Sequence, residues 1–156
     1  MNKYGIYFRE LCNLLTSWTW QELLFGLKNN IIGIEDVVDY TNSIISDVIK
    51  DFDAIMEILI VDEDKVENIV KKLALKEEKQ NDDDIVSKWV FSLIYYWHIT
   101  NKNNIYDMID DIYCEFDYPS EISCLVSYMP KEDGESRDDK LKKYIKRGEK
   151  IWSVKK

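Results

Sequence analysis

Apolar side chains recur along this chain at steps of three and four residues, the period of a helix buried on one side. In IEDVVDYTNSIISDVIK, Ile34, Val37, Val38, Thr41, Ile44, Ile45 and Val48 form one stripe, with Glu35, Asp36, Asp39 and Asp47 outside it. The same period predicts helices over IYFRELCNLL, FDAIMEILIV, IYDMIDDIYCEF and RDDKLKKYIKRGEKIW. Start and stop signals fall between them. Thr19 and Glu22 are spaced as a capping box opening WQELLFGLK, and the pair Asn29-Asn30 ends it. Asp62 is placed to cap DKVENIVKKLALKEE, QNDDD to start IVSKWVFSLIYYWHIT, and Ser136 to start the last helix. The expectation is an all-α chain of eight or nine helices, with no strand.

Two features refine that picture. Ile55, Leu59, Val66, Val70 and Leu73 are echoed 39 residues later by Ile94, His98, Ile105, Ile109 and Ile112. Each set reads as helix, polar turn, helix, so the pattern suggests stacked hairpins of the HEAT or tetratricopeptide kind. The second feature is DYPSEISCLVSYMPKEDGE, which holds both prolines. Pro119 fits a helix start, and Ile122, Leu125, Val126 and Met129 follow at helical spacing. EISCLVSYM is therefore predicted as a short helix stopped by Pro130, with an acidic turn through Gly134.

A length of 156 residues suits one domain, 1–156, with a core of its own; folding at this size buries about 70% of the unfolded surface. Net charge changes the picture more. It is −9 overall, but nine basic residues against three acidic ones from Arg137 onward give the last stretch, 136–156, a net of +6. The preceding residues carry −15. An acidic body with a basic C-terminal helix repels nucleic acid and anionic membranes over most of its area and attracts basic partners. Cys12, Cys114 and Cys124 are far apart with no CxxC, MNKYGIYFRE lacks a signal-like apolar run, and no stretch has the length of a membrane span. A cytoplasmic protein with three free thiols is expected.

The residues spell out no reaction. His98 is the lone histidine and ends an aromatic helix. Asp82-Asp83-Asp84 precedes an apolar-periodic run, where carboxylates satisfy free N–H groups and the positive helix end. No GxSxG elbow and no glycine-rich phosphate loop is present. The aromatic run Trp89, Phe91, Tyr95, Tyr96 and Trp97 reads as a central buried helix. What remains is an acidic surface: Asp36 and Asp39 on one helix, and Asp107, Asp110 and Asp111 on another. No cofactor and no metal site is expected. A metal-dependent hydrolase using these same carboxylates is the alternative from a different class, and a helical adaptor the alternative binding role.

YPSEISCLVSYMPKEDG, together with WTWQELLFGLKNNIIGIEDVVDYT, resembles a family of small uncharacterised bacterial proteins with a Trp-rich opening and a YMP-x-x-DG-like segment. Those are similar in kind to the immunity proteins encoded beside polymorphic or contact-dependent toxins. The resemblance implies no catalysis, and a cognate basic toxin domain, of nuclease type, as partner. The residues expected to bind it are Asp36, Asp39, Asp107, Asp110, Asp111, Glu132 and Asp133, with Tyr128 as an aromatic anchor.

Overall fold

The computed structural model describes residues 4, 6–15, 17–100, 104–126 and 136–152. Among these, eight α-helices and two 3-10 helices account for nearly all regular structure. The order is α1 (Phe8–Leu14), α2 (Trp20–Lys28), α3 (Ile34–Ile44), a 3-10 turn (Ile45–Asp47), α4 (Phe52–Ile60), α5 (Glu63–Lys76), α6 (Asp82–Ile99), α7 (Ile105–Glu115), a 3-10 helix (Ser120–Leu125) and α8 (Arg137–Ile151). The protein is all-α, as the periodicity predicts. It divides into two compact units, the first within Met1–Asn13 and Ser17–Ile85, the second within Leu14–Thr16 and Val86–Lys156.

In the first unit α2 packs on α5, and α4 packs on both α3 and α5. Leu23, Val37, Ile55, Ile58, Val66 and Val70 are buried from these helices. Both halves of the capping box form: Glu22 N–H donates to Thr19 Oγ1 (3.1 Å), and Thr19 N–H to Glu22 Oε1 (2.9 Å). At the other end of α2, Asn30 takes φ 56°, and Ile31 N–H returns to the Gly26 carbonyl at 2.9 Å. Asparagine tolerates this left-handed position better than most residues, so the Asn pair stops the helix as expected.

A second lock on α2 comes from far along the chain. Glu77, just past α5, accepts from the N–H groups of Trp20 (3.1 Å) and Gln21 (3.0 Å), donors that lack partners inside α2. Gln21 in turn donates from Nε2 to the Glu78 carbonyl and accepts from Gln80 N–H. Residues 19–22 and 77–80 are thereby zipped together by polar groups over an apolar contact.

Three local expectations change. The stripe from Ile34 does not run as one helix to Lys50: α3 ends at Ile44, and Val48 N–H reaches only back to the Ile45 carbonyl. Ser46 and Asp47 in this stretch are residues whose side chains compete with helical backbone bonds. Asp62 occupies the start of α5 but its side chain makes no capping bond. The segment after Pro119 is a 3-10 helix, not an α-helix, and Val126 is already extended. Residues 127–135, which the sequence continues as helix and acidic turn, lie outside the described part.

In the second unit the 3-10 helix packs against α7 and α8. Every residue from Lys88 to Ile94 of α6 is buried, as its run of apolar neighbours suggests. Phe91 stacks on Tyr95 (5.3 Å between centroids) and meets Tyr144 edge-on (5.8 Å). Gly148 of α8 lies over the same Phe91 ring, and a Cβ there would approach Phe91 Cε2 to 2.0 Å. Only glycine permits that approach. Gly148→Ala should therefore destabilise the protein by about 1–3 kcal/mol despite alanine's better helix propensity. Denaturant unfolding checks this, with Phe91→Leu in the same chain expected to recover part of the loss.

Candidate functional site

An α-helix with one buried side presents the other to solvent, and α7 does this with carboxylates. Met108, Ile109, Ile112 and Tyr113 are buried, while Asp107, Asp111, Cys114 and Glu115 are exposed one turn after another. Asp107, in the first turn, is favoured by the positive helix end. Asp111 makes no hydrogen bond or ion pair among the described residues, and α7 has no basic residue in its last turn. Glu115 and the exposed Asp117 then place negative charge where the helix end is itself negative. Each such placement costs about 0.3–1 kcal/mol. The C-terminal part of this face is therefore held against the electrostatics of the helix, while Asp107 at its start is not.

The exit from α7 adds an aromatic ring. Asp117 and Tyr118 both have positive φ, 62° and 58°, with Tyr118 N–H bonded to the Tyr113 carbonyl at 2.8 Å. Neither is glycine, and the residue before a proline prefers extended backbone. Such strain is held only where surrounding contacts impose it. Its result is that Tyr118 stands 59% exposed, edge-on to Tyr113 at 5.2 Å, beside the acidic end of α7. The sequence does not point to Tyr118, because nothing local in DYP marks two successive left-handed residues.

Asp110 behaves differently from its neighbours. It is half-buried, with Oδ1 3.8 Å from Arg137 Nη2. Arg137 opens α8 and does more than neutralise it. Nε and Nη2 both donate to the Leu125 carbonyl, and the guanidinium lies 3.9 Å above the Tyr106 ring. Tyr106 donates its hydroxyl to Asp138. Burial first, then that hydrogen bond and the Asp138 charge, push the Tyr106 pKa up, with Arg137 opposing. The expectation that Asp110 is a free surface carboxylate is corrected: its charge is engaged in joining α7 to α8.

The first unit separates its two candidates as well. Asp36 is 7% exposed and accepts from Gly33 N–H at 2.8 Å, so it closes the start of α3 instead of standing outside the stripe. Asp39 is exposed and borders a cavity of about 120 Å³ with Phe8, Arg9, Cys12, Tyr40 and Ser43. Tyr128, Glu132 and Asp133 lie outside the described residues. Among the described residues, no three His, Cys, Asp or Glu side chains come together as a metal site, and Cys12, Cys114 and Cys124 form no disulfide. No helix there is long and apolar enough to cross a membrane.

Tyr40 offers a spectroscopic handle on the first unit. Its ring packs on Phe8 and Trp20, its hydroxyl donates to the Trp18 carbonyl (3.3 Å), and burial, then the charges of Cys12, Glu22 and Glu77, push its pKa up to about 12. In the unfolded chain it ionises near 10. Between these values the folded state holds the extra proton, so its contribution is intact below about pH 10 and falls as pH rises towards 12. Stability measured against pH should decline over that window, and Tyr40→Phe should flatten the decline.

The family model described as "Uncharacterized protein conserved in bacteria (DUF2247)" matches residues 9–150 of this chain. No curated protein and no solved structure matches it.

Proposed function

We propose, for a chain that belongs to this conserved bacterial family, a binding function: it neutralises a basic protein domain by covering that domain's active site. A basic nuclease toxin is the partner chemistry that fits, and immunity protein the corresponding role. One observation carries the reading. Exposed carboxylates run the length of α7, from Asp107 in the first turn through Asp111 to Glu115 and Asp117 at the end that disfavours them, next to an exposed tyrosine on strained backbone. A cationic partner would turn that repulsion into attraction. Asp107 and Asp111 would stand where phosphates of a nucleic acid substrate sit, and Tyr118 would supply the aromatic anchor that dominates many interfaces. Asp39 is exposed on the first unit and adds to the same long-range attraction. Asp36 and Asp110 serve the fold instead.

The test is surface-capture kinetics against small basic nuclease-type domains, any encoded next to this chain's own gene first. Association should slow steeply with added salt while dissociation changes little, because screening acts on the encounter. Asp107→Asn with Asp111→Asn should slow association several-fold while lowering the melting temperature by no more than a few degrees, the loss coming from Asp107 at the helix start. Tyr118→Ala should instead speed dissociation by about tenfold or more, the scale of an anchor worth over 1.4 kcal/mol. Salt-insensitive association together with wild-type binding by the double variant would refute the acidic-face mechanism.

A further inference from the structure

The first unit is acidic, with 18 Asp and Glu against nine Lys and Arg, but it brings three of its lysines to one place. Between α2 and α5 runs a groove of about 480 Å³, floored by Leu24, Ala74 and Leu75 and edged by Lys28, Lys71 and Lys79. All three lysines are exposed, and none makes a hydrogen bond or ion pair among the described residues. Leu75, one turn after Lys71 on α5, is 81% exposed. The one carboxylate at the edge, Glu77, is already occupied by the N–H groups of Trp20 and Gln21. So the groove is locally cationic over an apolar floor, within a stretch of chain that is otherwise strongly acidic.

We propose that this groove is a docking site for an acidic, leucine-bearing segment of a protein partner. Charge selects the occupant: three lysines gathered without counter-ions repel one another, and an anionic ligand relieves that repulsion. Geometry selects a peptide over a small amphiphile. Pockets for small ligands enclose most of the ligand, whereas a groove with Leu75 this exposed has a floor and edges but no roof. A segment lying along it sets apolar side chains on Leu24 and Leu75 and its carboxylates against the lysines, in the manner of an amphipathic helix in a groove. The site is distinct from the acidic face of α7 and selects for the opposite charge, so it does not rest on the toxin reading.

A short fluorescein-labelled peptide of glutamates with leucine at every fourth position is the probe, read by fluorescence anisotropy at low salt. It should bind the full chain at least about tenfold more tightly than an all-glutamate peptide, a difference of 1.4 kcal/mol. Lys28→Gln, Lys71→Glu and Leu75→Ser should each weaken it about tenfold without altering the helical circular dichroism, with the melting temperature shifted by no more than a few degrees, since Lys28 lies in the last turn of α2 where its charge is favourable. The rival cationic surface is α8, where Lys142 and Lys146 are exposed. Lys142→Glu with Lys146→Glu should leave peptide binding unchanged. The proposal is overturned if the peptide fails to bind, if the α8 variant abolishes binding while the groove variants do not, or if a lysine-for-glutamate version binds the groove equally well.

Discussion

The first N–H groups of an α-helix have no partner within it, and a buried helix start must find one elsewhere. In this chain carboxylates supply it. Glu22 closes its own helix and Glu77 closes the same helix from 55 residues further along the chain from Glu22, while Asp36 closes α3. Asn81 at α6 and Ser136 at α8 do the same with neutral side chains. This constraint sorts the acidic residues before any partner is considered. Those bonded to helix starts are fixed and partly dry, and their charge is spent inside the fold. Asp107, Asp111 and Asp39 are among those left over, with other exposed carboxylates such as Glu35, Asp53 and Glu63, and together these carry the field that reaches solvent.

The second unit uses a guanidinium for the comparable task. A 3-10 helix ends with carbonyls facing outward, and Arg137 answers the one at Leu125 with two donors while pairing with Asp110 and covering Tyr106. A lysine at this position could not make the planar, two-donor contact and lie flat on a ring at once. The start of α8 is thus set by a side chain and not only by the cap at Ser136.

How much of this could be read from the chain alone depends on distance along it. Thr19 with Glu22, Asn29 with Asn30, and Ser136 with Asp139 are signals three residues apart or less, and each forms as expected. The burial of Lys88 to Ile94 was visible as an apolar run with no polar side. The helical stripe places Asp36 outside the core because it sorts residues by angle and ignores that the third residue of a helix reaches back to its cap. Glu77, Arg137 and Tyr118 were not visible at all. Their roles rest on tertiary contacts or on backbone angles that no neighbouring residue announces. The acidic character of the candidate face was legible, while the division of those acids between fold and surface was not.

The backbone at Asp117 and Tyr118 has a consequence for the thermodynamics of recognition. Holding two non-glycine residues at positive φ costs about 1–2 kcal/mol each, incurred once, when the chain folds. A tyrosine on a free loop would instead lose its freedom when a partner arrives, about 0.5–1.5 kcal/mol charged against affinity. With its N–H tied to the Tyr113 carbonyl and proline fixing the next residue, Tyr118 meets a partner already in place. The entropy of ordering the ring is thereby moved from complex formation to folding, where the cores of the molecule absorb it.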